Sequence, residues 1–204
     1  MRKTSFFAVI LFAALAAPAF AQNPPAGPPK AIRGTVERLN DHTLAVKSRD
    51  GDTVTVTLAP NFTVRTVVPI ALADIKPGDK VGITSIKGSE KARQAVEIHV
   101  LPSSLRNFRL SEYSWDLVPG SLMTNAEVAL VSSPPQGGTI KVTFDGKEEE
   151  FAVPSGIPVV TYRKGDPALL QPGTTVFVFA RKGPGGSLTA ASVTAEANGV
   201  KPPM

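Results

Sequence analysis

Acidic residues around one of the two histidines are the side chains of this sequence most suited to holding a metal ion. Asp41 and His42 are adjacent in one predicted turn, and Asp50 and Asp52 belong to the next turn. If both turns lie at one end of a barrel, these four side chains form an oxygen-rich site of modest affinity for a divalent cation. Asp is also an ordinary turn residue, so solvated turns are the alternative interpretation.

No combination of residues predicts a catalytic centre. His99 lies two residues after Glu97 in a predicted strand, without a cysteine anywhere in the chain or a histidine at helical spacing. No serine stands in a Gly-x-Ser-x-Gly turn. Glu148-Glu149-Glu150 alternates across a predicted strand, as charged residues do on an exposed sheet edge. We therefore expect a protein that is not an enzyme and that uses no cofactor.

Residues 102–122 contain the most unusual group of side chains: Tyr113 and the single tryptophan, Trp115, with Arg109 and Asp116 nearby. One interpretation is a binding strap, whose aromatic rings with polar tips cover a groove between two barrels. The other is a structural clasp that packs across both barrels and fixes their angle, which buried aromatic residues favour. The clasp predicts that Trp115 is largely buried.

Binding of single-stranded nucleic acid needs aromatic side chains on strands and a basic groove beside them. The first half of the chain is net basic but has Phe62 as its only aromatic residue within 31–101. The second half carries four phenylalanines on predicted strands and is slightly acidic. Because aromatic and cationic residues lie in different halves, we expect no nucleic-acid partner. The formal charge of +5 is no more than solubility requires.

The elements that must position these residues are short β-strands separated by turns. Residues such as Val54, Val56 and Leu58 alternate with threonines, which is the pattern of a half-buried strand. No long amphipathic helix is present. Strands are predicted over residues 31–39, 43–48, 53–58, 62–68, 80–86, 94–101, 125–131, 139–144, 147–153, 159–162, 174–180 and 188–196.

One pattern occurs twice. Residues 72–81 and residues 168–176 each contain a leucine-bearing helical turn, a Pro-Gly corner and a valine-rich strand. Such a recurrence indicates an internal repeat. Short antiparallel strands at this spacing remove their open edges by closing into small barrels. The predicted fold is therefore all-β, with two tandem OB-like barrels of about six strands each, joined by an aromatic-containing connector.

The N-terminus has the three parts of a secretory signal. Met1-Arg2-Lys3 is positive, Phe6 to Ala17 is apolar, and Ala19-Phe20-Ala21 is a small-x-small cleavage site. We expect cleavage after Ala21, a periplasmic location and no membrane span in the remaining chain. In chain order the predicted parts are a signal peptide (1–21), a Pro-rich leader (22–30), a first barrel (31–101), a connector (102–122), a second barrel (123–200) and a tail (201–204).

Four motifs follow one another in the first half: Gly34-Thr35-Val36, Leu44-Ala45-Val46, Asp50-Gly51 and Leu72 through Val81. In this order they resemble the small exported bacterial β-domains known as DUF5666. The second half matches less well, since Thr174-Thr175 takes the place of an Asp-Lys pair. The resemblance implies a small exported β-domain.

The whole chain also resembles a group of alphaproteobacterial exported proteins, through segments such as Trp115-Asp116-Leu117 and Pro202-Pro203-Met204. Members of that group are sometimes labelled metal ABC transporter permease. A permease needs several membrane helices, and this sequence has only a signal. The resemblance therefore implies fold and location, and we expect the transport label to be mistaken as a literal function.

The predicted function is that of an exported, non-enzymatic binding or accessory module whose partner is an envelope protein or a small ligand. The alternative is a solute- or metal-binding accessory of an envelope transport system, with the turns around His42 as its site. For the first function, the candidate ligand or interface residues are Arg109, Tyr113, Trp115 and Asp116.

Overall fold

The structure is a computed structural model that describes residues 29–88, 93–102, 109–134 and 137–203. The predicted signal peptide, most of the predicted leader and residues 103–108 of the connector lie outside these ranges. Within them, no helix is long and apolar enough to cross a membrane.

Twelve β-strands make up most of the described chain, which confirms the all-β class. The predicted strands over 43–48, 80–86 and 147–153 agree with the structure to the residue. Single turns of 3-10 helix at Leu72–Asp74 and Pro167–Leu169 precede the two Pro-Gly corners. The strands are β1 (Lys30–Asn40), β2 (Thr43–Ser48), β3 (Thr53–Pro69), β4 (Lys80–Ile86), β5 (Arg93–Leu101), β6 (Ser111–Ser114), β7 (Leu122–Ser132), β8 (Gly138–Phe144), β9 (Lys147–Val153), β10 (Val159–Lys164), β11 (Thr175–Lys182) and β12 (Leu188–Ala195).

Strand β3 replaces two predicted strands, 53–58 and 62–68, with one strand of 17 residues. It pairs with β2 as far as Thr57, with β12 from there to Arg65, and with β10 thereafter. A register shift in the β12 pairing falls around Pro60, where proline offers no backbone donor. Pro60 therefore lies at a register shift within the β12 pairing rather than at the end of a strand.

Five strands form the closed barrel: β1, β2, β3, β12 and β11 pair in that order, and β11 returns to β1. The β3–β12 pairing is parallel and the others are antiparallel. Every strand contributes buried aliphatic side chains to the interior. Burying one such side chain fully stabilises the fold by about 1.5–3 kcal/mol. These side chains include Ile32, Leu44, Val56, Val178 and Val193.

Five other strands pair as the second ring, in the order β5, β4, β7, β8 and β9. A short parallel pairing joins β9 back to β5 at two positions, Arg93 with Phe151 and Gln94 with Ala152. The ring encloses a separate core that includes Ile83, Ile98, Ile140, Phe144 and Phe151. Strand β6 adds to β7, and β10 lies between β3 and β5 and so connects the barrel to the ring.

Both groups of strands combine the two halves of the sequence. The closed barrel takes β1–β3 from the first half and β11–β12 from the second, whereas the second ring takes β4–β5 from the first half and β7–β9 from the second. This pairing corrects the tandem arrangement, in which residues 31–101 and residues 123–200 each close a barrel alone. The hydrophobic pattern indicates which segments are strands. It does not indicate which strands pair, because a strand of one half can pair equally well with strands of either half.

The Pro-Gly corners join the halves by reciprocal hydrogen bonds. The Gly78 N–H donates to the Val128 carbonyl on β7, at 2.8 Å, and the Gly173 N–H donates to the Val36 carbonyl on β1, also at 2.8 Å. In each case the strand residue donates its own N–H back to the residue after the glycine. Positive φ angles of 85° and 90° favour glycine at these two corners. Each corner thus directs the next strand of one half onto the first strand of the other.

Candidate functional site

The turn residues expected to bind a metal lie at opposite ends of a hairpin. Asp41 and His42 are in the β1–β2 turn, whereas Asp50 and Asp52 are in the β2–β3 turn. Strand β2 has six residues and antiparallel neighbours on both sides, so the two turns are about 20 Å apart. Among the described residues, no group of three acidic or histidine side chains is arranged to hold a metal ion. These four residues therefore do not form the predicted site.

The described part of the connector touches both groups of strands. Strand β6 pairs with β7 of the second ring, and the chain then brings Trp115 onto the closed barrel. The Trp115 ring centroid lies 5.9 Å from that of Phe179 and 6.2 Å from that of Phe177, both on β11, and 6.0 Å from that of Tyr113. Arg33 of β1 places its guanidinium 4.9 Å from the same ring. This geometry is compatible with both the clasp and the strap.

Trp115 is mostly but not fully buried. Its indole Nε1 is nevertheless buried and has no hydrogen-bond partner within the described ranges. An unsatisfied buried donor costs about 1–3 kcal/mol, so a hydrogen-bond acceptor brought to this ring would be favoured. The indole is therefore suited to contact a ligand as well as to fix the connector.

Asp116 and Arg109, the other two candidates from the connector, have different surroundings. The Asp116 carboxylate accepts a hydrogen bond of 2.7 Å from Arg33, and the Arg49 guanidinium lies 3.7 Å from the same carboxylate. Burial lowers the pKa of Arg33, and the pairing with Asp116 opposes that effect. The Arg109 side chain is 85% exposed and its nearest acidic contact is Asp145, at 3.9 Å. Asp116 thus holds the connector against the barrel, whereas Arg109 belongs to the surface.

An aromatic cleft lies between the closed barrel and the second ring, with a volume of about 190 Å³. This volume suits one ring-sized group, since sites for drug-sized ligands are usually larger than 300 Å³. The neutral polar side chains Asn125, Ser192 and Thr194 stand among the aromatic ones. The cleft is lined by Arg65, His99, Tyr113, Trp115, Met123, Asn125, Tyr162, Phe177, Phe179, Ser192 and Thr194.

A buried Glu97–His99 pair lies beside the cleft, on the outer face of the second ring. Glu97 is 1% exposed, and its carboxylate lies 2.8 Å from His99 Nδ1 and accepts a 2.8 Å hydrogen bond from Thr84. Gly82 provides the space for the imidazole, because a Cβ there would lie 2.1 Å from His99 Nε2. The carboxylate and the glycine together fix the orientation of a ring that lines the cleft.

Two tyrosines keep neutral hydroxyl groups at the cleft. Burial raises the pKa of Tyr162, and the nearby Glu97 carboxylate raises it further. The Tyr162 ring contacts His99 edge-on, with 5.9 Å between centroids. Burial also raises the pKa of Tyr113. Both phenols therefore remain protonated at neutral pH and retain a donor as well as an acceptor.

A row of cross-strand neighbours brings cations and aromatic residues onto one face. Arg33 pairs with Phe177, Phe177 with Thr194, Thr194 with Arg65, and Arg65 with Lys164. Side chains of paired residues lie on the same side of a sheet. The row combines basic residues of the first half with an aromatic residue of the second, so the separation seen along the sequence does not hold in space.

An ionic cluster attaches β6 to the second ring. Arg93 on β5 pairs with Glu112 on β6 and lies 3.5 Å from Glu149 on β9. Thr124 on β7 donates a 2.9 Å hydrogen bond to Glu112. Burial raises the pKa of Glu112, but the hydrogen bonds from Arg93 and Thr124 outweigh it, so the net pKa lies below the ordinary value of 4.5. The cluster thus holds the strand that leads to Trp115.

Replacing Glu112 by Gln is expected to lower the free energy of unfolding by about 1–3 kcal/mol at pH 7, since it removes a hydrogen-bonded charge. A depressed carboxyl pKa stabilises the fold above the unfolded-state pKa, and this contribution disappears as the pH falls through the folded-state pKa. The difference in the free energy of unfolding between wild type and Glu112→Gln, measured by urea denaturation, should therefore shrink as the pH falls from roughly 5 to roughly 3. Glu148→Gln, at an exposed position on β9, is the control. A gap that stays constant with pH would contradict this role.

A larger hollow of about 670 Å³ lies elsewhere on the surface. Its lining is mostly proline and aliphatic residues, such as Pro69, Ile70, Pro154 and Ile157. Such a surface offers few groups to orient a ligand, and it has no aromatic ring or acid–base pair among its described lining residues. The smaller aromatic cleft is the better candidate site because it combines ring surfaces with fixed polar groups.

Comparison of the chain with protein-family models, with curated proteins and with solved structures found no match. Tyr113 and Trp115 could be identified from the sequence, whereas the Glu97–His99 pair was set aside because His99 has neither a cysteine nor a histidine at helical spacing as a partner. Their spacing did contain a signal, since residues i and i+2 of a strand point to the same face.

Proposed function

We propose that the chain is an exported, non-enzymatic binding module whose ligand inserts a ring-shaped group into the aromatic cleft. The observation that carries this proposal is the convergence of aromatic rings from β6, β10, β11 and the connector on one cavity of about 190 Å³. Stacked or edge-on aromatic contacts contribute about 0.5–1.5 kcal/mol beyond the area that they bury. The polar tips around them would set the orientation of the ligand.

Binding rather than catalysis is the function that the Glu97–His99 pair supports. A nucleophilic enzyme places a hydroxyl or thiol within hydrogen-bond reach of its histidine. In the described ranges, the hydrogen-bond partner of His99 is Glu97, and Thr84 donates to that carboxylate instead of to the imidazole. The pair therefore holds a ring nitrogen in a fixed place, as a ligand contact requires.

We also propose that the closed barrel and the second ring are two OB-like barrels of an internal repeat that exchange their last two strands. The reciprocal hydrogen bonds of the two Pro-Gly corners support this proposal, as does the 3-10 turn before each corner. Export and a periplasmic location depend on the signal pattern at the N-terminus. Membership of the DUF5666 β-domains depends on the motif order in the first half.

The alternative function, an accessory of an envelope transport system, would use the same cleft for a transported solute. Its metal-binding form has no support from the four turn residues, which lie at opposite ends of β2. The solute-binding form and the simple binding module make the same prediction for the cleft. They differ in whether an envelope protein binds the chain when the ligand is bound.

The proposed function predicts that a ligand changes the emission of Trp115, which is the only tryptophan of the chain. The protein without its predicted signal peptide should be titrated with aromatic amino acids, nucleosides, hexoses and uronic acids. We expect a saturable change for at least one of these classes, because the indole contacts the rings that line the cleft.

Two variants define the specificity of that titration. Phe179→Ala removes a cleft ring and should weaken binding by roughly tenfold, which corresponds to about 1.4 kcal/mol. Leu130→Ala changes a side chain that is 56% exposed on β7 and does not line the cleft, and it should leave binding unchanged. No saturable change with any of the four classes, or an equal change in Phe179→Ala, would refute the proposal.

A further inference from the structure

A second hollow adjoins the aromatic cleft. Its volume is about 620 Å³, and it shares Arg65 and Tyr162 with the cleft as lining residues. Phe62, Arg163 and Lys164 also line it. The two hollows thus lie on either side of one arginine and one tyrosine, and together they offer room for a ligand longer than one ring.

The charged side chains that line these two hollows are all basic, and the Glu97 carboxylate lies behind His99 rather than in the lining. Arg65, Arg163 and Lys164 line them, and no Asp or Glu belongs to the described lining of either one. Arg65 and Lys164 are cross-strand partners, so the two cations are neighbours about 5 Å apart at their backbones. Neither has an ion pair with any described residue. Like charges held side by side create a positive potential that attracts an anion.

The neutral polar groups of the cleft narrow the kind of ring that it accepts. Asn125, Ser192 and Thr194 can each donate and accept hydrogen bonds, as can the protonated phenols of Tyr113 and Tyr162. A ring with several hydroxyl groups satisfies many such partners, while its apolar face packs on Phe177 or Phe179. A flat ring with few polar atoms offers these side chains few hydrogen bonds, so it gains less from the polar part of the cleft.

We propose that the two hollows together bind a linear acidic glycan. One sugar ring occupies the aromatic cleft, and the carboxylates of neighbouring sugars pair with Arg65 and Lys164. Arginine suits this role because its planar guanidinium can donate two parallel hydrogen bonds to one carboxylate. This inference rests on the proposed function of the aromatic cleft and adds the chemical class of the ligand.

The test uses a tetramer of galacturonic acid as the probe and its fully methyl-esterified, uncharged form as the matched comparison. The protein without its predicted signal peptide is titrated by calorimetry at low salt and at about 0.3 M salt. We expect the acidic tetramer to bind at least tenfold more tightly than the ester. Added salt should weaken binding of the acidic tetramer and leave binding of the ester unchanged, because salt screens exposed charges.

Two variants locate the charge contact. Arg65→Gln should weaken binding of the acidic tetramer by about tenfold or more, which is the size expected for a lost charge-assisted hydrogen bond. Arg38→Gln removes an exposed cation on β1 that lines neither hollow, and it should leave binding unchanged. Equal loss in both variants would mean that net charge alone governs binding, which would overturn the proposal.

Three further outcomes would overturn it. One is equal binding of the ester and the acid, and another is no binding of tetramers of galacturonic, mannuronic or glucuronic acid. The third is tighter binding of an eight-nucleotide single strand of thymidine than of any acidic tetramer, which would assign the hollows to nucleic acid. If the acidic tetramers fail but small ring compounds still change Trp115 emission, the binding function stands and only the glycan is wrong.

Discussion

The first half of the chain, residues 29–102, will not fold by itself. Strands β1–β3 need β11 and β12 to close the barrel, and β4–β5 need β7–β9 to complete the second ring. Without them, both cores lose about half of their walls and leave long unpaired edges. We expect no cooperative urea transition by circular dichroism and poorly dispersed amide signals by NMR, in contrast to the full chain.

The complementary half supplies the control for this experiment. When residues 29–102 are co-expressed with residues 109–203, the two pieces should associate and unfold together, because each carries the strands that the other lacks. The cut between them lies in the connector. A first half that is monomeric, well dispersed and cooperative alone would contradict the exchange of strands and restore the tandem arrangement.

Replacing Gly82 by Ala is expected to destabilise the protein by about 2–4 kcal/mol, the second large effect. The new Cβ would lie 2.1 Å from Nε2 and 2.3 Å from Cε1 of His99. To make room, the imidazole must leave the Glu97 carboxylate, which is 1% exposed. Overpacking and the loss of a partner for a buried polar group each cost about 1–3 kcal/mol. Urea denaturation would measure the loss, and ligand binding at the cleft should weaken with it.

A double-mutant cycle separates this explanation from a general effect of alanine in β4. In a His99→Ala background the imidazole is absent, so Gly82→Ala should add less than about 1 kcal/mol to the loss already caused by His99→Ala. If Gly82→Ala costs the same in both backgrounds, the clash with His99 is not the cause. The role of Gly82 in fixing the imidazole would then be wrong.

Local features of the fold could be predicted from the sequence because they depend on neighbouring residues. The alternation of Val54, Val56 and Leu58 and the turn residues around them indicate strands at the observed places. A glycine inside a strand indicates a bend or a close approach of backbones, and a Cβ at Gly34 would lie 1.9 Å from the Lys47 carbonyl oxygen. Pro60 was misinterpreted as a strand end because proline also occurs at bulges within a strand, and here the register shifts around it.

The choice of strand partners could not be predicted in the same way. The β4–β5 pair of the first half and the β11–β12 pair of the second half each follow a Pro-Gly corner and present similar aliphatic faces. Either pair can form the backbone hydrogen bonds and supply the aliphatic side chains that the first strands of either half need to complete a core. Their partner is decided by long-range packing and by the short connections between the pairs, which no local pattern records.

The site was predictable only where it is contiguous in the sequence. Tyr113 and Trp115 stand out in the connector because aromatic residues are rare in the chain. Arg65, His99 and Phe177 come from three distant strands, and only the pairing of β3, β5, β10, β11 and β12 brings them together. The main reason for expecting no nucleic-acid partner, the separation of cations and aromatic residues along the chain, does not hold in the folded structure. The expectation itself stays a prediction.

The connector contributes both to the stability of the fold and to the proposed binding cleft. Glu112 holds β6 on the second ring, and Asp116 holds the following residues on Arg33 of the closed barrel. Trp115 lies between these two attachments, at the edge of the cleft. A clasp that fixes the angle between barrel and ring also sets the width of the cleft, so the structural and binding interpretations of the connector describe the same contacts.

Mapping of a bound ligand by NMR tests directly whether ligands bind in the aromatic cleft. The probe is the ring compound that gives the largest change in Trp115 emission, added to isotope-labelled protein. We expect the indole N–H signal of Trp115 and the side-chain signals of His99 and Phe177 to shift together, while signals of Asp41 and Asp50 stay in place. Shifts confined to those turns, or saturable binding that leaves all three cleft residues unchanged, would contradict it.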